Sequence, residues 1–209
     1  MEKEKMLVTQ ALNELKLLDS RIEREISNTG FVTAAKTADK KVTPSVTKEE
    51  YIASANAGYQ SIMDLIQRRA KIKAAVVASN AVTKVTINDE EMTVAEAIEL
   101  KTSISYEIKL LRTLKTQYDR AKSVEASQNL VLEDRIDKYI ETMLGKDAKG
   151  KKDDYSEMIT PIRTANEYSL VDPLKAEEKI VALENRIDGF RSKVDAVLQV
   201  SNCVTVIEF

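Results

Sequence analysis

Residues 180–205 read IVALENRIDGFRSKVDAVLQVSNCVT, and this stretch decides the fold. Ile180, Leu183, Ile187, Phe190, Val194, Val197 and Ser201 follow at alternating steps of three and four, the seven-residue repeat that lays one seam along a helix. At Ser201-Asn202 the pattern stops and a β-branched run begins. Asn tolerates the left-handed conformation that ends many helices, and Val, Thr and Ile suit a pleated strand, so a helix is predicted to feed a strand at 204–209. The same exit recurs at Ser79-Asn80-Ala81-Val82-Thr83, and Ser27-Asn28 leads to Val32-Thr33 in the same way.

Working outward, Val8, Leu12, Leu15, Leu18, Ile22 and Ile26 mark an amphipathic helix over 3–27. A strand is predicted at 31–35 and a loop, closed by Pro44, at 36–46. Thr47-Lys-Glu-Glu50 is a capping box, in which the Thr hydroxyl accepts from a first-turn amide while the Glu reaches back to the cap. The second helix runs from there to about residue 79 on an apolar stripe of Ile52, Ala55, Tyr59, Ile62 and Ile66. A strand at 82–87 and an Asn88-Asp89 turn follow. A second capping box, Thr93-Val-Ala-Glu96, opens helix three, which a change of register near 123–129 leaves as one helix or two. Pro161 disfavours helix, a strand is predicted at 167–171, and Asp172-Pro173 starts the last helix with Asp as cap and Pro in first position.

The fold class is therefore mainly α: long antiparallel helices, a helical bundle or coiled-coil hairpin, with one small sheet formed by short strands at the helix ends. A single elongated domain over 1–209 is predicted, with strands near 31–35, 82–87, 167–171 and 204–209. Helices of about 25 to 45 residues span roughly 40 to 65 Å, more than the width of a compact chain of this length. Apolar seams on such helices are left for other chains, so a homo-oligomer is expected.

Composition narrows the function classes. The 209 residues are 43% hydrophobic, enough for a real core and too apolar for disorder. Thirty-two basic residues balance 34 acidic ones, which gives no overall pull toward nucleic acid or anionic lipid. The opening MEKEKMLVTQ is acidic where a secretory signal is basic, and no stretch approaches the roughly 18 uncharged apolar residues of a spanning helix. Cys203 is the only cysteine, so no internal disulfide forms. These features predict a cytoplasmic protein without membrane or specific nucleic-acid partners. The absence of histidine removes Ser-His-Asp and Cys-His nucleophiles and His-ligated zinc. No enzyme, cofactor or metal is expected.

Gly145-Lys-Asp-Ala-Lys-Gly150-Lys151-Lys152 comes within one residue of a phosphate-binding loop. Lys152 stands where a hydroxyl would hold magnesium, and the loop follows a helix where a strand is required, so it reads as a solvated connection. Candidate ligand-binding residues are Arg68, Arg69 and Lys73 on helix two, Arg112, Lys115 and Tyr118 on helix three, and Arg163 and Tyr168 beyond. Cations and aromatics at helical spacing clamp a nucleotide by charge and stacking. The plainer reading makes the Arg/Lys groups solvated or ion-paired clusters and Tyr118 a core-edge residue with a wet hydroxyl.

Ser79-Asn80-Ala-Val-Thr83, Met92-Thr93-Val-Ala-Glu96-Ala97-Ile98 and Leu110-Leu111-Arg112-Thr-Leu114-Lys115 resemble the central block of the septicolysin-like family of small helical proteins and of related phage-encoded proteins. Val194-Asp195-Ala-Val-Leu-Gln199 with Ser201-Asn202, and Leu170-Val171-Asp172-Pro173, extend the resemblance to about two thirds of the chain. Cys203 stands where the family more often has an aromatic, and 145–152 lies outside the pattern. The family name suggests a lysin, yet nothing here is apolar enough to span a bilayer, and the resemblance brings no activity or catalytic residue with it.

The leading expectation is a non-enzymatic, oligomeric helical binding protein, acting in the cytoplasm (the host's, if phage-encoded), that sequesters a small anionic ligand such as a cyclic nucleotide signal. The alternative is a structural or scaffolding protein that self-associates or binds a partner through coiled-coil seams, with no small-molecule ligand.

Overall fold

In a computed structural model of the chain, residues 4–145 and 152–209 are described. The order is β1 (Lys5–Leu7), α1 (Val8–Asn28), β2 (Lys41–Thr43), β3 (Val46–Thr47), α2 (Lys48–Val82), β4 (Lys84–Ile87), β5 (Glu90–Thr93), α3 (Val94–Leu144), α4 (Ser156–Asn166), α5 (Ala176–Val204) and β6 (Val206–Glu208). The mainly α class is as predicted, with long helices and small sheets. Among the described residues, no helix is long and apolar enough to cross a membrane. The lysines at 146, 149 and 151 of the phosphate-loop near-match lie outside the described residues. The chain divides into two compact units, Met1–Thr102 with Gly189–Phe209, and Ser103–Asp188.

In the first unit α1 and α2 pack antiparallel. Val8, Ala11, Leu15 and Leu18 of α1 meet Ile72 and Val76 of α2, and Ile207 of β6 completes the cluster. The chain is tightly packed just past the end of α1. Gly58 of α2 lies under Thr29, and a Cβ built on that glycine would fall 2.6 Å from the Thr29 methyl. Both capping boxes form: Thr47 and Thr93 each accept from the amide three residues on, and Glu50 and Glu96 each accept from the cap amide and hydroxyl. Helix α1 starts later than its apolar pattern suggested, because residues 5–7 pair with β6 as Lys5↔Glu208, Met6↔Ile207 and Leu7↔Val206.

The recurrent helix exits resolve differently from the prediction. Asn80 and Asn202 remain helical, and the residue that ends each helix is the threonine: the Thr29, Thr83 and Thr205 amides donate to Glu25, Ser79 and Ser201 carbonyls at 2.9–3.0 Å. Thr29 and Thr83 have extended backbone, so the chain leaves each helix already set for a strand and needs no left-handed residue. The left-handed positions among the described residues occur instead at Asn88 and Asp89, the tight turn of the β4–β5 hairpin, at Lys175, and at Gly145, where α3 ends.

The strands do not form one sheet. They form three separate antiparallel pairs, β1–β6, β2–β3 and β4–β5. Residues 31–35 remain outside any sheet, since a β-branched run without a partner makes no ladder. The loop at 36–46 instead contains β2 and leads into β3 around Pro44.

In the second unit α3 runs unbroken through 123–129. Leu132, Ile136 and Ile140 of α3 pack on Ile159 of α4, with Tyr155 and Ile162 alongside. That burial holds Pro161 inside α4, where it forfeits one hydrogen bond on an exposed turn. The strand predicted at 167–171 is replaced by a side-chain clamp: the Asn129 amide donates to the Tyr168 carbonyl and accepts from the Tyr168 N–H, both at 2.8 Å. Pro173 and Leu174 form a turn rather than the first turn of the helix, and α5 starts at Ala176; the Asp172 carboxylate spans both, accepting from Leu174 in the turn at 3.2 Å and from Ala176, the first amide of α5, at 2.7 Å.

Candidate functional site

The predicted ligand residues fall into separate groups, each with partners of its own. In the first unit the Arg68 guanidinium bridges Glu4, at 2.9 and 3.1 Å, and Glu14 of α1, and lies 5.6 Å from the centre of the Phe209 ring. The hydrogen bonds that Arg68 donates to Glu4 and Glu14 push its pKa further up, and the bond to Glu4 holds that carboxyl below the usual carboxylate range. Arg69 pairs with Asp19 of α1 and lowers its pKa, with a smaller contribution from the charge of exposed Lys73. The α1–α2 packing creates these pairs: one turn of α2 presents two arginines to Glu14 and Asp19 of α1.

In the second unit Lys115 pairs with Glu184, and Arg163 with Glu133 at 2.8 and 3.1 Å. The Tyr118 hydroxyl donates to Glu177 at 2.8 Å, and Lys122 sits 4.9 Å from the centre of the Tyr118 ring. Tyr168 is half exposed, held by its backbone. Arg112 is exposed, without an ion-pair partner among the described residues. Lys115 and Tyr118 thus lie close to one another along α3, whereas Arg163 and Tyr168 belong to the Glu133 and Asn129 contacts farther along it. The carboxylate partners, Glu4, Glu14, Asp19, Glu133, Glu177 and Glu184, were missed by the sequence reading. The legible signal was the pair of acids on α1, Glu14 and Asp19, which flank its Leu15 and Leu18 core positions on either side.

The remaining chemistry is sparse. Cys203 is an exposed free thiol whose sulfur accepts from the Thr9 hydroxyl at 3.5 Å. Among the described residues, no group of three His, Cys, Asp or Glu side chains is placed to hold a metal.

The more distinctive surfaces are apolar. In the first unit a groove of about 420 Å³ lies between β4 and the end of α5, lined by Val85, Val197, Val200 and Val204 with Thr83 and Thr205. Val200 and Val204 are exposed there. A second hollow, 320 Å³, is bounded by Phe31, Val32, Val42, Tyr51 and Ile52. In the second unit a smaller pocket, 220 Å³, is formed by Leu114, Gln117, Tyr118, Leu170 and Leu174. No protein-family model, curated protein or solved structure matches the chain.

Proposed function

We propose that this chain is a non-enzymatic helical interaction protein of the cytoplasm, which acts by binding other chains, copies of itself included, through apolar helix faces. One observation carries the reading: Arg68, Arg69, Lys115 and Arg163, four of the cations that an anionic ligand would need, each already hold a carboxylate of their own chain. An incoming phosphate must displace that carboxylate, whereas the apolar groove at Val200 and Val204 has nothing to displace but water. The reading takes no activity from the resemblance to the septicolysin-like family.

Sequestration of a small anionic ligand such as a cyclic nucleotide, in a host cytoplasm if the chain is phage-encoded, is the second reading. It is supported by Tyr118, which lines the 220 Å³ pocket with Lys122 over its ring, and by Arg112, which has no ion-pair partner among the described residues. Heating the protein with and without cyclic and linear nucleotides separates the two. A ligand present at a hundred times its dissociation constant stabilises by about 2.7 kcal/mol. The interaction reading expects no shift, together with a light-scattering mass above the 23.4 kDa of one chain. A nucleotide that raises the melting temperature overturns it in favour of sequestration.

A further inference from the structure

The apolar stripe read on α2 divides in two. Ile62 is buried, but Ile52, Tyr59 and Ile66 are 59%, 58% and 39% exposed, although each is large and apolar. The packed side of α2 is a different one, where Leu65, Ile72 and Val76 face α1. Starting at Ile52 and stepping alternately by four and three, the positions reached as far as Val77 stay within an arc of about 100° on an α-helix. None of them is buried. The helix therefore carries, along roughly 38 Å, a second heptad-spaced face that its own chain leaves open.

This face is complementary to itself when reversed. Turned about the midpoint between Asp64 and Leu65, Ile52 meets the second copy's Val77, Tyr59 meets its Ala70, and Met63 meets its Ile66. The two polar positions, Asn56 and Lys73, meet each other. Aliphatic groups oppose aliphatic groups, the one ring opposes a methyl, and no cation opposes a cation. On the flank turned away from α1, Gln60 comes opposite Gln67 and Ala53 opposite Ala74, so the rim holds no like charges. A parallel alignment of the same face would stack Lys73 on Lys73 and Tyr59 on Tyr59. The geometry points to a second copy of this chain docked antiparallel on the 52–77 face of α2. The inference rests on the interaction reading above and names its partner and surface. A single helix face is at the small end of specific interfaces, so association at roughly micromolar protein is expected.

Sedimentation of the full chain over a concentration series tests it, with the mass rising from 23.4 kDa toward twice that value. Tyr59→Glu puts a carboxylate in the middle of the apolar seam at an exposed position. It should abolish the dimer while leaving the helical circular dichroism unchanged. Asn56→Asp gives the gain-of-binding counterpart: symmetry sets two new Asp–Lys73 pairs across the interface. The dimer should tighten about two- to thirty-fold, the effect of two exposed ion pairs. In a parallel dimer the same change brings two aspartates together and weakens it. A constant monomer mass, a dimer undiminished by Tyr59→Glu, or a weaker Asn56→Asp dimer each overturns the proposal. A dimer lost only on charging Val200 also overturns this face, while the interaction reading survives. Stabilisation by a nucleotide defeats that reading without touching the α2 measurement.

Discussion

Replacing Gly58 by alanine sets two known effects against each other where α2 packs against Thr29, the residue that follows α1. Within a helix, alanine is favoured over glycine by about 1 kcal/mol. Here the new methyl would lie 2.6 Å from the Thr29 Cγ2 and 3.3 Å from its hydroxyl. Thr29 cannot simply rotate away, because its hydroxyl donates to the Glu25 carbonyl at 2.7 Å where α1 ends. Losing that bond costs about 1 kcal/mol, and forcing an extra methylene into a packed contact about 1–3 kcal/mol. Gly58→Ala alone should therefore destabilise by about 1 kcal/mol despite its helix propensity. Thr29→Ser removes the offending methyl and keeps the hydroxyl, so Gly58→Ala/Thr29→Ser should be more stable than Thr29→Ser alone by about 0.5–1 kcal/mol. The double-mutant cycle then gives a coupling of about 1.5–2 kcal/mol. Urea unfolding followed by far-ultraviolet circular dichroism measures all four proteins. If Gly58→Ala by itself gains about 1 kcal/mol, the contact is not as described; a cycle with no coupling refutes the steric argument equally.

Stability should fall on acidification below about pH 5. The Glu4, Asp19, Glu50 and Glu96 carboxyls are held below ordinary values of 4.5, 3.8, 4.5 and 4.5, by Arg68, Arg69, Thr47 and Thr93 in that order. A depressed folded-state pKa contributes stability that is complete above the unfolded value and is lost as pH falls through the folded one. Melting temperature between pH 6 and pH 2 should therefore decline, less steeply in Glu50→Gln/Glu96→Gln, and equal slopes in the two proteins would count against the capping assignment. Asn129→Ala strips both partners from the Tyr168 backbone and should cost about 1–2 kcal/mol. Hydrogen exchange should rise locally at 167–171, and unchanged exchange there would show that the clamp does not hold the segment. Ile136→Ala, at a fully buried site, should cost about 2–5 kcal/mol in the second unit, read by urea unfolding; a loss below 1 kcal/mol would contradict its place in that core.

What the sequence made legible was local. Thr47 and Glu50, Thr93 and Glu96, and the Asn88-Asp89 turn act within a few residues, so their chemistry can be read directly. The 180–201 seam was readable for the same reason: Ile180, Ile187, Phe190, Val194 and Ser201 are buried, with Leu183 and Val197 half-buried. What was not legible depends on distant partners. β1 exists because residues 206–208 pair with it, and its own three residues looked like more of the helix. Pro161 argued against a helix that the burial of Ile159 nevertheless holds. Asn129 takes over the hydrogen bonds a strand at 167–171 would have made. For the candidate site, composition and spacing located the cations but not the carboxylates that hold them. Arg68 reaches back 54 residues to Glu14 and 64 to Glu4, a separation at which only the packed α1–α2 pair brings the charges together.

Ile207 sits in the α1–α2 core although nearly the whole chain separates it from Val8. During vectorial synthesis, α1 and α2 can find each other as soon as Val82 has emerged, but the last wall of their core arrives about 6 to 25 s later, at roughly 5–20 residues per second. For that interval the nascent hairpin shows a sticky opening beside Val8 and Ile72 that the finished protein never shows. A stall in synthesis between residues 82 and 207 would leave that opening uncovered.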